Sequence, residues 1–224
     1  GEMRLVIYCK STEVDVELLS VKTSCTGKHG LANKGGIVAE ISVNETTRLG
    51  FLTAHLEAHE GAEHCANRCT SFYDIFRGTR SSYTPYRYDA SSASHFTFVL
   101  GDLNFRTKLY PGYGYGTERH INMCHSLAKK KNWMALNRYD ELAKCLKEKK
   151  CLLGFATPYC NFDPTFKVAR EEGYQYNPKR SPSFTDRILF KTTEQLQSSL
   201  RPLIYEPIRA FTSSDHKPIR GAFD

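Results

Sequence analysis

Two polar motifs, each joined to a strand-like apolar run, constrain this chain more than any other feature. Gly101-Asp102-Leu103-Asn104-Phe105-Arg106 follows the run Phe96-Thr97-Phe98-Val99-Leu100, and Ser214-Asp215-His216-Lys217-Pro218 precedes Ile219-Arg220-Gly221-Ala222-Phe223. Both fall at strand ends, where layered α/β folds gather their ligand sites. Two acids, an amide and an imidazole are the groups needed to hold a divalent cation, activate a water and contact a phosphate. Taken singly, each motif has a plainer reading: Gly-Asp and Asn are turn residues, and Asp-His is a common surface pair or helix cap. Asp186 opens a third strand-like run. It is the candidate for the carboxylate that a phosphate-contacting His needs on its other ring nitrogen.

Strands are expected at residues 5–9, 36–43, 48–54, 95–100, 187–190 and 218–223, all short, rich in branched and aromatic residues and bounded by polar or glycine turns. Residues 44–47 read as the turn of an antiparallel hairpin. Helices are expected at residues 60–77, 117–131 and 138–150. Residues 81–94, rich in Ser and Tyr, read as a mobile loop, and residues 110–116 carry too much Gly and Pro for regular structure. Neither an internal repeat nor a linker divides the 224 residues, so a single mixed-sheet domain of the α+β or α/β kind is expected over residues 1–224.

The formal net charge of +7 and a pI of about 8.9 favour an anionic partner. They do not choose among nucleic acid, a phosphoinositide membrane and a soluble polyphosphate. Every apolar run falls short of the ~20 residues needed to span a bilayer. The opening Gly1-Glu2-Met3-Arg4 does not read as a signal peptide. Eight scattered cysteines without a CxxC pair read as free thiols in a reducing, cytoplasmic compartment. His64, Cys65 and Cys69 are close enough on one helix to suggest zinc, but a fourth ligand is not evident and a metal site is not expected there.

Other candidates are weaker alone. His55-Leu56-Glu57-Ala58-His59-Glu60 has the composition of a zincin helix but not its order, and His55 sits at a strand end, so it reads either as a phosphate contact or as a buried structural His. Asn33-Lys34-Gly35-Gly36 reads by itself as a loop with an exposed lysine; the sharper reading has the glycines admitting a ligand and the lysine meeting phosphate. Lys167, Lys179 and Arg180 are either a surface charge cluster or a phosphate patch. Lys129-Lys130-Lys131 and Lys147-Glu148-Lys149-Lys150 read as solvated helix faces, with attraction to an acidic membrane at ~1 kcal/mol per basic residue as the alternative.

Together, and in order, these segments resemble the inositol polyphosphate 5-phosphatases of the endonuclease/exonuclease/phosphatase superfamily. The resemblance rests on Asn33 to Gly36, Ala54 to Glu60, Gly101 to Arg106, Asp140-Glu141-Leu142, Gly154-Phe155, Pro164-Thr165-Phe166-Lys167, Pro182 to Leu189 and Ser214 to Pro218. It implies a DNase-like four-layer sandwich of two packed mixed sheets flanked by helices. The implied reaction is Mg2+-dependent hydrolysis of the 5-phosphate of phosphoinositides or soluble inositol polyphosphates, at the edge of an acidic membrane, with nucleic acid not expected as a partner. By position, Asp102 would be the general base and Asn104 would hold the water and a phosphate oxygen. His216, held by Asp186, would donate to the scissile phosphate, and His55 would stabilise its developing charge. Asp215 would sit at the metal. Lys167 and Arg180, with Lys179 nearby, would hold the 4-phosphate; Asn33 and Lys34 would meet the 1-phosphate or phosphodiester; Arg106 is placed with the substrate residues. Such domains also begin with strands bearing a Gln-Glu pair whose Glu is the main Mg2+ ligand. This chain has no Gln-Glu pair, so the expectation is a domain lacking its N-terminal part. A non-catalytic phosphoinositide-binding module and a nuclease of the same superfamily are the alternatives.

Overall fold

The computed structural model describes residues 2–10, 12–27, 34–80 and 88–224. Five strands form one mixed sheet in the order β1 (Val16–Cys25), β2 (Gly35–Val43), β3 (Thr47–His55), β4 (Phe96–Asp102) and β5 (Asp186–Thr192). The β3–β4 pair is parallel and the other three are antiparallel. The crossover from β3 to β4 carries α1 (Ala62–Gly78) and the single turn α2 (Ala90–Ala93). Between β4 and β5 lie α3 (Glu118–Lys129), α4 (Trp133–Arg138) and α5 (Glu141–Lys147). The chain ends in a two-stranded sheet of β6 (Pro202–Pro207) and β7 (Ile219–Phe223).

Alternation along the strands explains the layering. Val38, Leu52, Ala54, Val99 and Leu189 point to one face and join Phe72 and Ile75 of α1 and Leu142 and Cys145 of α5 in the main core. Phe51, Phe98 and Phe190 point to the other. Phe51 stacks on Phe98 at 5.5 Å, and Phe223 of β7 meets Phe98 and Phe190 edge-on at 5.1 and 5.3 Å. Helices therefore cover one face of the large sheet and the small sheet meets the other, the layered α/β arrangement expected.

Several boundaries differ from expectation. Residues 5–9 are not a strand: they find no ladder partner among the described residues, and Val6 and Tyr8 are exposed. β1 and β6 were not anticipated, since β1 mixes Glu, Lys and Ser into its apolar pattern and β6 is bounded by prolines. The helix expected at 138–150 is the shorter α5, which starts at Glu141 because Asp140 caps it by accepting from Ala143 N at 3.1 Å, and α4 just before it was not anticipated. The loop expected at 81–94 contains α2, capped by Asp89; residues 81–87 lie outside the described residues. The hairpin turn holds, with Asn44 and Glu45 both at positive φ (50° and 58°).

Two buried ion pairs hold the start of α5, one to the sheet and one to α1. Arg187 on β5 donates to Asp140 at 2.6 Å with both side chains 2% exposed, and Arg68 on α1 donates to Glu141 at 2.6 Å. Removing one partner of such a pair leaves the other charge buried and unpaired, at a cost of about 3–5 kcal/mol. Arg187→Met is accordingly expected to lower urea-unfolding stability by about that amount. A loss below about 1 kcal/mol would show that the pair is not structural in this sense.

Candidate active site

Strand register builds the site. The pairing of β2, β3, β4 and β5 ends in one row, Gly35 beside His55, His55 beside Asp102 and Asp102 beside Asp186. Gly101 permits this close approach: its φ is 128°, and a Cβ there would stand 2.2 Å from Ala54 O. Like charges directly opposed across a sheet repel. His216, on the segment before β7, offsets that repulsion between Asp102 and Asp186. Its Nδ1 lies 2.9 Å from Asp186 Oδ2, and one ligand atom from each of Asp102, Asp186 and His216 falls within 4.8 Å of the others.

A side strand of chain delivers His216. Phe166 bridges to both Ser183 and His216, Val168 N donates to Asp215 O at 3.0 Å, and Lys217 N donates to Thr165 O at 3.0 Å. Phe166 also packs on the imidazole, with ring centroids 4.6 Å apart. The same pairing brings Thr165 Oγ1 to Asp186 Oδ2 at 2.6 Å, and Thr185 Oγ1 donates to that oxygen at 2.9 Å. Burial opposes the His216 imidazolium. The Asp186 hydrogen bond and the charges of Asp186, Asp102 and Asp215 outweigh it, so the ring titrates above its ordinary value.

Asp102 is fixed by its neighbour. Asn104 gives it a backbone N–H at 3.1 Å and an amide N–H at 2.9 Å, while the same amide donates to Leu56 O at 3.0 Å. Asn104 sits at φ 57°, a left-handed conformation that Asn tolerates. Its carbonyl oxygens are in turn held by Arg106: the backbone O by Nε at 3.0 Å and Oδ1 by Nη2 at 2.5 Å. This corrects two expectations. Asn104 is 3% exposed, and both of its amide hydrogens are engaged with protein oxygens, so it orients Asp102 instead of a water. Arg106 is 5% exposed and committed to Asn104, with its guanidinium over the Phe166 ring, so it supports the site from behind and does not face a ligand.

His55 and Lys34 complete the cluster. His55 Nε2 lies 3.3 Å from Asp102 Oδ2 and also contacts the Lys34 ammonium. Burial lowers the Lys34 pKa, the Asp102 charge opposing and Arg106 adding to that fall. The glycines beside Lys34 serve packing more than ligand approach, since a Cβ on Gly35 would meet Ser24 O at 2.1 Å and one on Gly36 would meet Leu52 and Ile75. Asn33 lies outside the described residues.

Asp215 does not join the carboxylate pair. It faces Lys167, whose Nζ is 2.6 Å from its Oδ2. Burial works against its charge, yet the Lys167 hydrogen bond and charge hold its carboxyl below the usual range. Asp215, expected at the metal, thus stands apart from the grouping of Asp102, Asp186 and His216, whose ligand atoms lie within 4.8 Å of one another. Lys179 and Arg180 are exposed on the 177–181 turn, and their side chains reach no acceptor among the described residues. Sequence reasoning missed Thr165, Thr185 and Lys217. Lys217 is fully buried and donates to Glu171 O at 2.6 Å and Phe211 O at 2.7 Å, which anchors the loop behind His216. Its place next to that histidine was the available signal. Glu141, flagged only as part of a motif, accepts from Arg68, from Arg106 N and from Tyr115 and so links α1 and α5 to the site.

The family model for endonuclease/exonuclease/phosphatase family 2 matches residues 1–222. The chain is similar to the nitrophorin Cim l NP of Cimex lectularius, 25% identical over 99% of this chain and 65% of that protein. It is also similar to the type II inositol 1,4,5-trisphosphate 5-phosphatase of Mus musculus, 27% identical over 98% of this chain and 21% of that protein. Among solved structures, the inositol polyphosphate 5-phosphatase domain of a synaptojanin, in complex with inositol (1,4)-bisphosphate and calcium ion, aligns with a TM-score of 0.69 and 26% identity over 95% of this chain and 55% of that one. The chain thus spans less than two thirds of the length of these relatives. With its motifs in order, its sheet ends in register and its family model matched almost end to end, this chain belongs to endonuclease/exonuclease/phosphatase family 2, among relatives that include the inositol polyphosphate 5-phosphatases.

Proposed function

We propose that this chain is the catalytic part of a phosphoric monoester hydrolase, using Mg2+ to remove the 5-phosphate of a phosphoinositide headgroup or a soluble inositol polyphosphate. The observation that carries the reading is the facing of Asp102 and Asp186 across β4 and β5, with His216 close to both. It is supported by family membership and by relatives named as 5-phosphatases.

The donor set suits a hard divalent cation. Asp186 Oδ1 accepts no hydrogen bond among the described residues, and Asp102 Oδ1 accepts only one, from Asn104 N. Two carboxylates are the number Mg2+ commonly takes from protein alongside phosphate and water oxygens. Asp102 and Asp186 would hold the ion, and when bound it supplies charge neutralisation on phosphate and a more acidic water.

The remaining work falls to side chains. Asp102 takes a proton from the attacking water as its oxygen bonds to phosphorus. The ester P–O bond breaks, and the inositol oxygen leaves and is protonated from solvent. His216, its Nδ1 turned to Asp186, gives its Nε2–H to a phosphoryl oxygen. Lys34 stands on the opposite side of Asp102, with His55 in contact with both. Positioning and charge placement of this kind supply most of the barrier reduction in phosphoryl transfer. Lys167, Lys179 and Arg180 are the groups proposed to meet a second phosphate, with Asn33 beside Lys34 at a third. The +7 net charge supports action peripheral to an acidic membrane, which we place on the cytoplasmic side as part of this proposal.

The test is Mg2+-dependent phosphate release from phosphatidylinositol 4,5-bisphosphate vesicles and from inositol 1,4,5-trisphosphate. Asp102→Asn and His216→Ala are each expected to lower release by at least ~100-fold. Variant rates within a few-fold of the parent would sink the residue assignments, and a parent inert on both substrates would sink the activity. Chelation of divalent ions is expected to stop release and added Mg2+ to restore it; release that persists in chelator would remove the metal from the reading.

A further inference from the structure

Asp186 loads one carboxylate oxygen and spares the other. Its Oδ2 lies 2.6 Å from Thr165 Oγ1, 2.9 Å from Thr185 Oγ1 and 2.9 Å from His216 Nδ1, while Oδ1 accepts no hydrogen bond among the described residues. Both threonines are fully buried. Thr185 Oγ1 also stands 3.4 Å from His216 Nδ1. That nitrogen already gives its hydrogen to the carboxylate, so both hydroxyl hydrogens go to Oδ2.

The backbone of these threonines joins the segments that carry the site. Thr165 O accepts from Lys217 N at 3.0 Å, beside His216, and Thr185 O accepts from Leu103 N at 2.8 Å, beside Asp102. Thr165 therefore touches both halves of the Asp186–His216 couple, one with its hydroxyl and one with its carbonyl. Residue type matters here. The Cβ–Cγ torsion of an aspartate has broad wells and sets no direction by itself. A β-branched side chain is stiff about its first torsion, so a threonine hydroxyl stands as a fixed post. Three donors on Oδ2 then fix the tilt of the carboxylate.

We propose that Thr165 is a positioning residue of the active site, supported by Thr185: its hydroxyl holds Asp186 Oδ2 against His216 Nδ1 and so keeps Oδ1 turned to the open side. This deepens the phosphatase reading above and rests on it. Thr165 is buried and meets no substrate, so it acts through Asp186. Without its hydroxyl the carboxylate gains freedom to swing, and His216 with it. The loss falls on the reacting geometry, where small misplacements are costly, and not on ground-state binding.

Thr165→Val and Thr165→Ser separate this role from packing. Val keeps the branch and removes the donor. Thr185 and His216 remain on Oδ2, so no buried acceptor is orphaned and the urea midpoint is expected to stay near the parent's. With Mg2+ and inositol 1,4,5-trisphosphate, the Val variant is expected to lose ~10-fold or more in kcat with KM within about twofold. Ser keeps the hydroxyl and loses a buried methyl, so it is expected to be less stable yet to hold kcat within about threefold. A Val variant as fast as the parent, or a Ser variant as slow as Val, overturns the proposal. A second measurement needs no turnover: the His216 Nδ1–H resonance in chain carrying heavy-nitrogen histidine, assigned by its loss in His216→Gln. It is expected to be sharp in the parent and in Thr165→Ser, and broadened by exchange with water in Thr165→Val. A parent that releases no phosphate sinks the phosphatase reading, and the resonance then decides alone. An N–H already broadened in the parent, or one unchanged in Thr165→Val, overturns the positioning role.

Discussion

The opposition of Asp102 and Asp186 is the constraint on which the rest of the structure turns. Two carboxylates at adjacent strand ends are an electrostatic burden that no folded sheet keeps without compensation. The register of β4 and β5 enforces it, and that register is itself locked by the phenylalanines on one face and the Val99–Leu189 layer on the other. A slip of one residue would turn the carboxylates away and bury the wrong side chains at once. The site is thus inseparable from the core that holds it.

Around the two acids the chain has placed basic side chains at graded distance. His216 touches Asp186 directly, His55 and Lys34 stand on the far side of Asp102, and Arg106 lies a layer deeper, acting through Asn104. That gradation separates groups able to meet a substrate from groups that only aim others. Arg106 and Asn104 belong to the second kind although both sit in the same short motif as Asp102.

Much of this was legible in the sequence because strand ends and their motifs coincide. Asp102, Asp186, His216 and His55 were found from residue type and position, and the structure brings them into one cluster. The hairpin at Asn44 was legible from turn chemistry. The division of labour within a motif was not, because side-chain direction decides whether Asn104 meets water or Leu56 O. The direction of Asp215 was hidden for a similar reason: it precedes His216 but points to a lysine contributed by a distant segment. β1 escaped notice because an edge strand carries polar residues through its apolar pattern, and the 5–9 run misled because hydrophobicity without a partner makes no strand. The contact between the Cys65 and Cys145 sulfurs joins residues eighty apart, which no local spacing encodes.

The Lys167–Asp215 pair, 2.6 Å across and about one third exposed, sets a condition on whatever approaches it. The lysine is not a vacant receptor; it already holds an anion of the protein's own. An incoming group must displace that carboxylate, so the pair acts as a threshold on charge. A dianionic phosphomonoester outbids a monoanion at the same point, and a singly charged diester or a carboxylate metabolite gains little by the exchange. Discrimination among anions would then arise from competition inside the protein, without any contact to the part of the ligand that differs.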